Sequence, residues 1–87
     1  MHVRFFAPSV GVPEDPATGS AAGALGAYLL AHKVLGSGSP ASFVIEQGLE
    51  IQRPSKITVT VDHDHGVPSL VRVGGRAVTV LNGEITL

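Results

Sequence analysis

From Ala17 to Leu35 the chain carries a single fully charged side chain, Lys33, and this long apolar segment limits the fold more than any other stretch. Ala, Leu and Tyr predominate in it, so propensity predicts a helix over 17–35. Its apolar residues Ala21, Ala22, Leu25, Tyr28, Leu29 and Ala31 do not form one stripe but ring most of the circumference, the pattern of a helix buried on nearly all sides. Gly23 and Gly26 each cost about 1 kcal/mol relative to Ala inside a helix, a cost that fits places where another backbone passes close. Gly36, Ser37, Gly38, Ser39 and Pro40 then end the helix and form a loop.

What wraps the helix must come from the rest of the chain, which reads as strand. ASFVIEQ, KITVTVDH, SLVRVGG and RAVTVLNGEITL are β-branched segments separated by turn residues, and their short spacings favour antiparallel hairpins. In KITVTV, Ile57, Val59 and Val61 alternate with Lys56, Thr58 and Thr60, so one face points inward. Before the helix, HVRFFA reads as a strand stopping at Pro8, with His2 and Arg4 on one side of it, toward solvent or a partner. A strand on that side of the helix is free to pair differently. The expected architecture is α+β: a mixed, mostly antiparallel sheet curled around one central buried helix, in one domain spanning 1–87, with two sheet edges left to cover.

Composition removes several classes of function. Lys+Arg 6 against Asp+Glu 7, a net charge of −1, offers no basic stripe for a phosphate backbone, so nucleic acid is not an expected ligand. The absence of cysteine excludes disulfides, thiolate metal sites and a cysteine nucleophile and points to a cytoplasmic setting. MHVRFFAPSV has no signal-type pattern, and 17–31 is too short and Gly-rich for a membrane span, so a soluble, unprocessed protein is expected. A domain of 87 residues buries a small fraction of its surface, which favours a partner.

The chemistry concentrates in residues 13–22, PEDPATGSAA. Pro16 suits a first helical turn with Asp15 before it as a cap; if the helix starts later, Thr18 or Ser20 takes that role. Either way the N–H groups of Thr18, Gly19, Ser20 and Ala21 lie near the positive end of the helix dipole, where a carboxylate or phosphate oxygen is stabilised, and Gly19 lets a ligand approach the backbone. Glu14 and Asp15 neighbour these donors rather than Lys or Arg, which places an acid able to exchange protons beside an anion-holding site. The same residues also begin an ordinary capped helix.

Other polar clusters read as structural. DHDHG at 62–66 holds potential metal ligands but lies between two strands and ends in Gly66, so a solvated hairpin loop is expected and no metal. Arg53-Pro54-Ser55 at a strand entrance reads as surface or packing, with anion positioning as its functional alternative. His32 is placed to meet the last helix carbonyls, and Tyr28 to join the core.

RFFAPSVGVPEDPATGSAAGALGAYL resembles the signature of the PhzF-like phenazine-biosynthesis family, which shares the diaminopimelate epimerase fold. FVIEQGLEIQRPSKI and VRVGGRAVTVLNGEITL resemble the closing strands of that family's C-terminal domain. The resemblance implies two similar halves facing each other across a cleft, and cofactor-independent isomerases or epimerases that move a proton at carbon in small carboxylate-bearing metabolites. By motif position Asp15 corresponds to the cleft aspartate and Ser20 to the cleft serine. Gly19 and Ser20 fall among the helix-end groups that bind substrate, and Thr18 stands where diaminopimelate epimerase has a catalytic cysteine. The family's principal acid/base glutamate, with a histidine, belongs to an N-terminal half that nothing in this chain resembles. The expected partners are therefore a small carboxylate metabolite and either a second copy in a homodimer or a separate N-terminal half. The alternative is a non-catalytic anion-binding or assembly module.

Overall fold

The computed structural model describes residues 1–36 and 38–87. Six strands and one α-helix form the framework: β1 (His2–Val3), β2 (Phe5–Ala7), β3 (Val12–Asp15), α1 (Gly19–Ala31), β4 (Ala41–Gln47), β5 (Ser55–Asp64) and β6 (Val67–Gly74). Four of the strands make a sheet in the order β1-β4-β5-β6, and β2 and β3 pair separately. β1 runs parallel to β4, whereas β4–β5 and β5–β6 are antiparallel, so the mixed, mostly antiparallel α+β arrangement expected from the sequence is present.

The alternation seen in KITVTV decides which face is buried. Ile57, Val59 and Val61 point inward from β5, Val59 and Val61 at 0% exposure, and meet Ile45 from β4 and Ala22 and Leu30 from α1. Val71 of β6 packs at the margin of this cluster. Burying side chains of this size contributes roughly 1.5–3 kcal/mol each, so this face is the main source of stability.

Gly26 explains how closely the helix lies on the sheet. A Cβ built there would come within 2.8 Å of Val59 Cγ1 and 3.1 Å of Val61 Cγ2. Gly23 differs: a Cβ would sit 3.6 Å and 3.7 Å from Val73 and Val71 methyls, ordinary contact; the nearest atoms at both glycines are side-chain atoms rather than the backbone expected, and only at Gly26 is the approach tight.

Several expectations are corrected. HVRFFA is not one strand: the chain breaks at Arg4, leaving β1 against β4 and β2 against β3. The helix covers 19–31 rather than 17–35. It is stopped by Lys33, not by Gly36: at φ 58, Lys33 donates its N–H to Leu30 O and Val34 donates to Leu29 O, both at 3.0 Å, the paired bonds of a Schellman ending. Nor is α1 enclosed. Ala22, Gly26, Leu29 and Leu30 form one buried stripe, while Tyr28 is 59% exposed, because the sheet here covers a single side. The ring of Tyr28 lies 4.2 Å from that of His32, so this histidine stacks on an aromatic.

The segment RAVTVLNGEITL also departs from expectation. Beyond Gly74 no strand forms among the described residues, and Val78, Val80, Leu81, Ile85 and Leu87 are almost fully exposed. A β-branched run becomes a strand only where it pairs with an edge, and among the described residues these pair with none. DHDHG, by contrast, forms the expected hairpin: His65 and Gly66 both take positive φ in a two-residue connection between β5 and β6. No metal-ligand cluster occurs among the described residues.

Candidate functional site

β3 delivers Asp15 to the foot of α1, and the three residues Pro16, Ala17 and Thr18 lead into the helix. Thr18 is the N-cap, with extended backbone (φ −125, ψ 100), and its carbonyl accepts the first helical bond from Ala22 N at 3.1 Å. No side chain caps the helix, a correction to the expectation that Asp15, Thr18 or Ser20 would. The reason is that the Thr18 hydroxyl is committed elsewhere: Oγ1 donates to Asp15 Oδ2 at 2.6 Å, a short charge-assisted bond. Gly19 and Ser20 are exposed and no N-cap side chain bonds the first N–H groups of the helix, the end at which the dipole favours an anion.

A buried amide holds this arrangement from below. Gln47, at the end of β4 and 1% exposed, donates from Nε2 to Asp15 O at 2.8 Å and to Thr18 Oγ1 at 3.0 Å. Ser55, the first residue of β5, reaches Pro16 O at 2.8 Å and Gln47 O at 3.2 Å. Gly48, at φ 87, completes the clamp: a side chain there would meet the carbonyl oxygens of Arg53 and Pro16, the latter 2.9 Å from its Cβ. The 15–18 turn is thus held at two backbone carbonyls, Asp15 O and Pro16 O, and at the Thr18 hydroxyl by residues at the facing ends of β4 and β5.

Sequence reasoning did not place Gln47 or Gly48 at the site, and it read Ser55 with Arg53 and Pro54 as surface or packing. The signal for Gln47 was present, since it continues the inward set Ala41, Phe43 and Ile45 along ASFVIEQ, and an amide at a core position needs a buried polar partner. Arg53, singled out with Ser55, is exposed and outside this cluster; it closes the connection through its N–H to Gly48 O at 2.9 Å.

Glu14 is not the free acid its neighbours in sequence suggest. Arg4 crosses from the β1–β2 break and binds it through both ends of the guanidinium, Nη2 at 2.8 Å and Nε at 3.2 Å. Arg4 also lies 3.7 Å from Glu50, which in turn meets His2 Nε2 at 2.9 Å, and its guanidinium sits 5.0 Å from the Phe6 ring centre. The Glu14 hydrogen bond is the main cause that raises the Arg4 pKa further above its already high ordinary value. At Glu50 desolvation pushes the carboxyl upward, but a backbone hydrogen bond, His2 and Arg4 together outweigh it and hold the group below its ordinary value of 4.5. The acids therefore divide: Glu14 is bound by Arg4, Glu50 lies between His2 and Arg4, and the Asp15 carboxylate receives one neutral hydroxyl.

Beside the helix end, on the side of Ala17, an open hollow of about 840 Å³ carries two cations, Lys56 and Arg76, together with Ser55 and Thr58. A second hollow, of about 710 Å³, lies at the opposite end of α1 between Leu30, Lys33 and the 63–66 hairpin.

These features define a mixed α+β unit in which an uncapped helix end stands next to a rigidly held carboxylate. Residues 1–83 match the model of the phenazine biosynthesis-like (PhzC–PhzF) family, and the chain belongs to that family. It is 43% identical, over its whole length, to an uncharacterized isomerase of Clostridium acetobutylicum, of which it covers 29%. It is 40% identical to the trans-2,3-dihydro-3-hydroxyanthranilate isomerase of Pseudomonas fluorescens over 97% of the chain and 30% of that protein, and 38% identical to the uncharacterized isomerase YddE of Escherichia coli K12 over 93% and 28%. The chain spans less than a third of the length of these curated relatives. No helix among the described residues is long and apolar enough to cross a membrane.

Proposed function

We propose that this chain forms one wall of a cofactor-independent isomerase site that moves a proton at carbon in a small carboxylate-bearing metabolite. The observation that carries this reading is the uncapped end of α1 beside Asp15. The N–H groups of Gly19 and Ser20 hold the substrate carboxylate, with the Ser20 hydroxyl beside them, and Asp15 shares or relays the proton. Lys56 and Arg76, lining the adjacent hollow, draw an anionic substrate toward that end. Thr18, expected as a substrate contact, acts on this reading through Asp15 instead, because its hydroxyl proton is already given to the carboxylate.

Relocating a proton at carbon requires an acid/base group on each side of it. Glu14 and Glu50 are tied to Arg4 and His2. The opposite group therefore comes from a second wall, either a second copy of this chain in a homodimer or a separate N-terminal half, and the setting is cytoplasmic. A second reading, a non-catalytic anion-binding or assembly module, is favoured by the same observation that Asp15 is the one acid left at the helix end: binding an anion needs the helix terminus and no second acid.

Deuterium wash-in separates the two. The chain, alone and mixed with a family N-terminal half, is incubated with a panel of small carboxylates in deuterated water. On the isomerase reading, deuterium enters at carbon in at least one condition, and Asp15→Asn slows it by 10²-fold or more. Anion binding without wash-in in either condition establishes the module.

A further inference from the structure

We infer that Gln47 is a positioning residue that sets the direction of a hydrogen-bond relay running from its amide through Thr18 to Asp15. Asp15 O is a backbone carbonyl and only accepts, and it lies 2.8 Å from Gln47 Nε2. The opposite amide orientation would set the Gln47 carbonyl oxygen against that carbonyl, so the NH2 faces the 15–18 turn. Its second proton then points at Thr18 Oγ1, 3.0 Å away.

Thr18 has one hydroxyl proton. With an N–H arriving at Oγ1, that proton is directed to Asp15 Oδ2 at 2.6 Å. Gln47 is 1% and Thr18 7% exposed, so water has little access to replace either link. The consequence is asymmetric: Oδ2 of Asp15 is occupied from within the protein, and Oδ1 is left as the basic oxygen. Resting on the reading that Asp15 exchanges a proton with substrate, Oδ1 is the atom that does so. Gln47 thus touches no substrate and fixes which carboxylate oxygen works.

The sequence places this relay economically. Gln47 is the last residue of β4 and Gly48 follows at positive φ, which turns the chain under Pro16 and keeps the amide at the level of the helix start. The single Ser55 hydroxyl proton lies toward Pro16 O at 2.8 Å, with Gln47 O at 3.2 Å as its more distant acceptor.

The test uses proton NMR on the ligand-free chain. In the unmodified protein the Thr18 hydroxyl proton is expected as an observable, slowly exchanging resonance with Overhauser contacts to Asp15 Hβ. The two Gln47 side-chain amide protons are expected to exchange at least tenfold more slowly than those of the exposed Gln52. Gln47→Leu, close in shape, should speed Thr18 hydroxyl exchange by tenfold or more while the protection of the Val59 and Val61 amides persists. Gln47→Glu, which accepts rather than donates, should turn the hydroxyl toward residue 47 and abolish its contact with Asp15. Thr18→Ser should retain the relay signal, a rescue that simple space-filling by the threonine methyl would not give.

An unchanged hydroxyl exchange rate in folded Gln47→Leu overturns the inference. Should both Gln47 variants fail to fold, Gln47 amide protons that exchange as fast as those of Gln52 in the unmodified chain overturn it equally. Neither readout uses a ligand or turnover, so their failure sinks the relay and leaves anion binding at Gly19 and Ser20 standing. Loss of anion binding there, with the relay signals intact, sinks the functional reading instead.

Discussion

At the scale of single residues, the site depends on which polar groups are already engaged. Glu14 and Asp15 are adjacent in sequence and equal in chemistry, yet Glu14 is bound by both ends of Arg4 while Asp15 receives one neutral hydroxyl. Nothing in PEDPATGSAA distinguishes them, because Arg4 arrives from the break between β1 and β2, ten residues earlier. The same network has a pH signature. Glu50 is held below its ordinary value of 4.5, so its folded form binds protons less readily than its unfolded form. Its contribution to stability is fully present above the unfolded value and is lost as pH falls through the folded one. Glu50→Gln is expected to flatten the acid limb of a stability–pH profile, with variant and parent drawing together as pH falls below 4.5 and through the lowered folded value. Urea midpoints measured from pH 3 to 7 check this, and parallel curves over the whole range would contradict it.

At the scale of elements, the two helix glycines make opposite tests of how α1 meets the sheet. Gly26→Ala drives a methyl into Val59 and Val61, both fully buried on β5, and is expected to destabilise by about 1–3 kcal/mol as overpacking does. Gly23→Ala meets only ordinary contact and is expected to stabilise by about 0.5–1 kcal/mol through helix propensity. Denaturant unfolding of the two variants reads both; equal effects would mean the helix does not rest on β5 as described. Much of this element level was legible beforehand: the helix, the inward face of β5 and the hairpin at 65–66 follow from period and turn chemistry, whereas tight contact at Gly26 and not at Gly23 depends on where the β5 and β6 methyls fall. The split of HVRFFA into two strands was not, since its pairing partners, β4 and β3, are chosen by tertiary contact and not by local pattern. The helix end at Lys33 was missed for a similar reason. A lysine in the left-handed region costs roughly 1–2 kcal/mol and is tolerated where packing fixes the last turn. The role of Gln47 was not legible because its partners, Asp15 O and Thr18 Oγ1, are brought to it from 32 and 29 residues away by tertiary contact.

At the scale of the whole molecule, the helix composition and the sheet disagree, and the disagreement is informative. α1 is apolar around most of its circumference but is covered on one side, and the apolar residues from Val78 to Leu87 are exposed. The outer edge of β6 is unpaired within this fold, and β1 covers only two residues of β4. Surfaces of this kind are the ones that second copies or partner chains cover. The chain alone is expected to self-associate: light scattering over a tenfold concentration range should give a mass above that of one chain, and a monodisperse monomer throughout would contradict it.

The central claim is that the open end of α1 holds a carboxylate next to Asp15, and it is tested most directly by following backbone amide shifts during titration with a small carboxylate. The account predicts saturable shifts centred on Gly19 and Ser20, weakened at least tenfold in affinity by Gly19→Ala, whose added methyl meets the protein no closer than 3.9 Å from Val73 and so leaves the fold intact. Shifts confined to the surroundings of Lys56 and Arg76, or an affinity unchanged in Gly19→Ala and Ser20→Ala, would contradict it.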